Sequence, residues 1–274
     1  MAAVTETDAA PAAALVRAQD EALFATALFA PEPGRARLLT LYAFDVELSR
    51  AALPARRGDT GPMIALMRLQ FWRDTVEDAF AGAPPRAHEI AAPLHALIAS
   101  GGLAREAIEA LLDAYEREIT SAAELEVAFD AWAEQRFGVL VGLAGQALGA
   151  ETQAVAVLAG QALARAFVLR NAGAMMAAGA TVPGLGRRAL LSERTAAEAV
   201  PAFAQAGLDA LANARAQRKA LARKATPALL PLWRAEHDLH AALAAPKRVG
   251  DGLPTPPKIA RALGLGWRTL SGRW

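Results

Sequence analysis

No cysteine occurs in the chain, so disulfides, thiol catalysis and thiolate metal sites are excluded, and the absence suits a cytosolic protein. Aromatics are scarce at 6% of residues, although 54% are hydrophobic. Ala and Leu must therefore fill most of the core, and both lose little entropy in a helix. Segments alternating with period two are nearly absent, which argues against sheets. Net charge is only +1, too little for a protein that holds nucleic acid by bulk electrostatics. The longest uncharged runs, Phe137 to Ala150 and Asn171 to Gly186, are unsuited to spanning a bilayer: one is too short, the other interrupted by glycine and Pro183. Residues 1–14 lack the basic and apolar regions of a signal peptide. They are expected to form a disordered tail.

What is present is helical periodicity almost throughout. It predicts helices near 15–30, 35–53, 63–81, 87–100, 103–120, 123–148, 152–178, 195–225, 226–245 and 258–270. Pro31, Pro54, Gly82, Gly101, Gly149 and the Pro183 to Gly186 turn separate several of them. Thr195 and Glu198 have capping-box spacing and predict a helix start there. No repeat or linker is evident, so 15–274 reads as one all-α domain.

Charges placed inside apolar arcs are the first chemical signal. At 100° per residue, Asp45 falls between Leu41 and Leu48, and Arg68 falls among Ile64, Ala65, Leu69, Trp72 and Val76. A buried charge needs a partner, so Asp45 and Arg68 are expected to pair across two helices. The pattern Asp74-x-x-x-Asp78 reads as a solvated face, with Arg73 and Glu77 as an i,i+4 pair beside it. His88, His95, His237 and His240 show no metalloprotease spacing, and His237 with His240 reads as a wet helix face.

Two segments carry a resemblance. Leu39-Thr-Leu-Tyr-Ala-Phe-Asp-Val-Glu-Leu-Ser-Arg50 and Met67-Arg-Leu-Gln-Phe-Trp-Arg-Asp-Thr-Val-Glu-Asp-Ala-Phe80 resemble the start of the squalene/phytoene synthase superfamily. That resemblance implies an all-α, single-domain prenyl-synthase-like bundle around a central cavity. It also implies two aspartate-rich Mg²⁺ motifs. Ser49, Arg50 and Leu53 stand where the first should carry aspartates. In the second, Leu169 and Arg170 match, but Asn171, Ala174 and Met175 replace the acids. Mg²⁺ wants hard charged oxygens, so no cofactor is expected.

The same phrases, with Pro84-Pro85, 125–148 and Trp267-Arg-Thr269, are similar to a branch of the superfamily that includes a mitochondrial complex I assembly factor and its bacterial relatives. The resemblance to that branch implies a non-catalytic protein with complex I subunits or assembly intermediates as partners. An isoprenoid lipid or prenyl diphosphate is a further expected ligand. Tyr42, Phe44, Asp45, Arg68, Trp72, Phe167, Arg170 and Asn171 are the expected cavity residues. The alternative is an active head-to-head prenyltransferase using Mg²⁺ held by Asp45, Asp74 and Asp78. The C-terminal segment has its own character: Lys258 to Trp274 is basic and bears Trp267 and Trp274. It fits either a peripheral contact with an anionic membrane from the cytoplasmic side or a helix docking Leu263 and Trp267 on the bundle.

Overall fold

The computed structural model describes residues 9–56, 60–121, 128–186, 190, 192–255 and 257–274. Residues 1–8 of the expected tail, the start of the expected helix at Ala123, Arg57 to Asp59 and Arg187 lie outside the described residues. In chain order the helices are α1 (Ala10–Gln19), α2 (Glu21–Ala27), α3 (Gly34–Ala52), α4 (Gly61–Ala81), α5 (Ala91–Ala99), α6 (Arg105–Thr120), α7 (Phe129–Ala133), α8 (Val139–Ala147), α9 (Gln153–Ala177), α10 (Glu193–Ala216), α11 (Thr226–Leu229), α12 (Pro231–Ala244) and α13 (Lys258–Ser271). No strand occurs among the described residues, so the all-α expectation holds.

Several boundaries differ from the sequence reading, each for a local reason. The first helix begins at Ala10 with a proline in its first turn and buries Ala12, Leu15 and Val16. It then breaks at Asp20, whose carboxylate accepts the Ala22 and Leu23 amides at 2.9 Å and starts α2. At α10 the cap is Ser192, which accepts the Thr195 amide at 3.2 Å. Thr195 is therefore inside the helix rather than its cap. A single π turn, Glu134–Gly138, joins α7 to α8. Gly101 and Gly149 do end their segments, both with positive φ.

Contacts group the chain into two compact units: 1–120 with 139–152 and 222–228, and 121–138 with 153–221 and 229–274. In the first unit α3 is the central helix. Every residue from Leu38 to Phe44 is buried, as expected of a helix covered on all sides. Its Leu41, Phe44 and Leu48 share a core with Leu69, Trp72 and Val76 of α4 and with Ile108, Leu111 and Leu112 of α6. Each such side chain gains about 1.5–3 kcal/mol from leaving water.

In the second unit α9 takes the central place, packing on α10, on α12 and on the π turn. That last contact is at backbone distance. A Cβ on Gly160 would overlap the Gly138 backbone nitrogen and Cα, and one on Gly173 would overlap the Gly250 carbonyl oxygen. The glycines let α9 sit against main chain instead of side chains.

Candidate functional site

α3 presents the first set of expected residues. Phe44 meets the Trp72 indole edge-on at 5.5 Å, and Trp72 also contacts Phe71 and His88. Tyr42 is 3% exposed, and its hydroxyl has no hydrogen-bond partner among the described residues; the same is true of Thr40. Burial, with the nearby Asp45 charge, keeps the Tyr42 phenol protonated far above its ordinary range.

Asp45 does not pair with Arg68. The Tyr115 hydroxyl, on α6, donates to Asp45 Oδ1 at 2.7 Å and lies 2.8 Å from Ser49 Oγ. A phenol has one proton, so with that proton on the carboxylate the Ser49 hydroxyl donates to the Tyr115 oxygen. Arg68 is exposed instead, on the outer side of the N-terminal half of α4, whose other side buries Gly61, Ala65 and Leu69. Met63, Ile64 and Met67 are 68%, 43% and 70% exposed there. Ile64, expected to face inward, is thus part of that outer side. Tyr115 is the residue the sequence reading missed. The signal was present: it continues the Ile108, Leu111, Leu112 arc of α6, where a hydroxyl must find a partner.

The other carboxylates of α4 are committed to arginines. Arg86 holds Asp78 at 2.6 Å and Asp74 at 3.5 Å. Arg73 reaches Asp113 and Glu116 on α6, while Glu77 pairs with Arg105. The expected Arg73–Glu77 pair is therefore replaced by contacts between helices, which also cover α4.

α9 carries the second set. Arg170 donates to Asp238 at 2.9 Å, and Arg234 takes the same carboxylate at 2.9 Å from one turn earlier on α12. Asp238 is fully buried, while His240 on the same helix is exposed, as the wet-face reading of His237 and His240 expects. Asn171 turns its amide back to the Phe167 carbonyl at 2.8 Å, and Phe167 packs on Phe137 with Arg136 over both rings. Met175 is buried and Ala174 exposed. A separate open pocket of about 270 Å³ is lined by Phe129, Asp130, Gly184, Phe203 and the Arg165 guanidinium, which binds Asp130 at 2.7 Å.

These donors do not suit Mg²⁺. Ser49 is held by Tyr115, Arg50 is a cation paired to Glu47, Asn171 is spent on its own helix, and Ala174 and Met175 offer no oxygen. Among the described residues no three His, Asp or Glu side chains converge. The described residues also contain no helix long and apolar enough to cross a membrane.

Comparison with known proteins agrees with this picture at the level of fold. The structure is similar to that of a dehydrosqualene synthase, with a TM-score of 0.73 and 10% identity over 97% of this chain and 96% of that one. It is similar to a squalene synthase from Alicyclobacillus acidocaldarius as well, with a TM-score of 0.66 and 16% identity over 90% and 96%. In sequence it is 35% identical over 71 residues to the human NADH dehydrogenase (ubiquinone) complex I, assembly factor 6; the match takes in 26% of this chain and 20% of that protein. The squalene/phytoene synthase family model matches residues 16–261. With nearly its whole length matched and an all-α fold of that type, the chain belongs to the squalene/phytoene synthase family.

Proposed function

We propose that the chain is a non-catalytic member of its family that serves the assembly of respiratory complex I. The observation that carries the loss of catalysis is the Ser49–Tyr115–Asp45 hydrogen-bond group. Ionising a prenyl diphosphate requires charge stabilisation at the departing pyrophosphate. Here Ser49, at an expected metal-ligand position, is hydrogen-bonded to a phenol, and the α9 arginine is paired with Asp238. Support for the assembly role comes from the stretch shared with the human assembly factor.

An isoprenoid bound but not converted completes the proposal. The unpartnered hydroxyls of Tyr42 and Thr40, both buried on α3, offer a hydrogen-bond anchor to a polar headgroup. Arg68 is too exposed, and Arg170 too engaged, to be that anchor.

Incubation of the purified chain with farnesyl and geranylgeranyl diphosphate and Mg²⁺ tests the first half. The expected result is no pyrophosphate and no condensed lipid; a condensed C30 or C40 product would overturn the reading. Deleting the gene in its host and resolving respiratory complexes on native gels tests the second half. Accumulated complex I subassemblies are expected, and a normal complement of complex I would exclude the role.

A further inference from the structure

Within the second unit α13 packs through the face that carries Gly264, Leu265 and Arg268. Leu265 is buried, Gly264 rests on the Trp233 indole, Arg268 binds Glu236 at 2.7 Å, and Trp274 is 2% exposed. Arg215 reinforces the seat by gripping Glu236 and the Trp274 carbonyl. The opposite side carries Leu263, Trp267 and Leu270, which are 71%, 67% and 78% exposed. The reading in which Leu263 and Trp267 dock on the bundle is therefore corrected: the helix is held by the other face.

Positions 263, 267 and 270 fall on one stripe of a helix. Single exposed leucines need no explanation, but a contiguous apolar stripe on a firmly seated helix marks a contact surface. Charge decides between occupants. Residues 252–274 contain Lys258, Arg261, Arg268 and Arg273 and no acid. Even with Arg268 committed to Glu236, the segment is basic. Two copies meeting here would bring like charges together, whereas an anionic bilayer attracts them across roughly 10 Å. An indole in the apolar stripe matches the chemistry of a membrane–water interface.

We propose that the Leu263–Trp267–Leu270 face of α13 docks the protein onto an anionic lipid bilayer, the helix lying in the interface plane. The docking goes beyond the assembly role and holds whether or not the chain is catalytic. The helix lies with its apolar side among the acyl chains, and its seat on Glu236 keeps it presented before contact.

The test is co-sedimentation of the full chain with phosphatidylcholine vesicles, with and without about 30 mol % phosphatidylglycerol. Binding is expected on the anionic vesicles, weak on the neutral ones and falling as salt rises. The L263Q/W267Q/L270Q variant is expected to lose at least about tenfold in partition, while M63Q/M67Q, altering exposed methionines elsewhere, keeps it. Quenching of tryptophan emission by brominated lipid gives a second readout. It is expected in the unaltered protein and strongly reduced in Trp267→Phe, since Trp72, Trp132 and Trp274 are buried and Trp233 is half-buried beneath Gly264. No binding to anionic vesicles, equal binding to neutral ones, or undiminished binding by the triple variant would overturn the proposal. A concentration-dependent dimer that the triple variant abolishes would assign the face to a second copy and overturn it too.

Discussion

Around Ser49 the first unit joins two hydroxyls and a half-exposed carboxylate; around Arg170 the second unit joins two guanidiniums and a fully buried carboxylate. Each group includes a residue of a segment where aspartates were expected, Ser49 in one and Arg170 in the other. The energetics differ. A hydrogen bond to a charged group contributes about 1.5–3 kcal/mol net, and part of its loss is recovered where water can reach the carboxylate. A buried ion pair adds little against an apolar replacement, yet removing one partner strands the others at about 3–5 kcal/mol. The first group is therefore a soft substitution and the second a brittle one.

That contrast can be broken by mutation. Asp238→Ala leaves Arg170 and Arg234 facing each other without an anion, and is expected to cost about 3–5 kcal/mol in urea unfolding. Tyr115→Phe removes the shared hydroxyl between Asp45 and Ser49 and is expected to cost less, about 1–3 kcal/mol. If the two variants lose equal stability, the distinction between brittle and soft fails.

Acid sharpens the same point at Glu236. Burial pushes its pKa up, but the hydrogen bonds and charges of Arg215 and Arg268 outweigh it, leaving the pKa below the ordinary 4.5. A folded-state pKa below the unfolded one adds stability above about pH 4.5, which is lost as pH falls through the folded value. Thermal midpoints measured across that window should fall less steeply in Glu236→Gln than in the unaltered protein. The smallest effect is expected at Arg68→Ala, within about 0.5 kcal/mol. A larger loss would revive the discarded Asp45–Arg68 pair.

Much of the fold was legible because its signals are local. Gly101 and Gly149 end segments, Pro31 and Pro54 separate them, and the arcs Leu41–Phe44–Leu48 and Leu69–Trp72–Val76 face inward as their spacing dictates. Arg68 was misread because periodicity assigns a face without saying how far around the helix that face is covered. Asp20 was missed because one carboxylate capping two amides outweighs the surrounding helical pattern. Tyr115 and Asp238 were overlooked for a different reason. Each is defined by a partner more than 60 positions away in sequence, and no one-helix pattern points to such a partner. In the described residues, the acids of Asp74 and Asp78 do lie on a charged face, but held by Arg86 rather than solvated alone.

In a chain built so heavily from alanine, exchange between alanine and its neighbours in size is the mutation most easily absorbed. The contact of α9 with main chain at Gly138 and Gly250 reverses that rule at Gly160 and Gly173. There one methyl group meets backbone that cannot rotate aside, so the smallest change available becomes one of the least tolerated. Substitution at Gly160 and Gly173 of α9 should therefore be rejected even when the newcomer is alanine, recording how close two stretches of backbone lie.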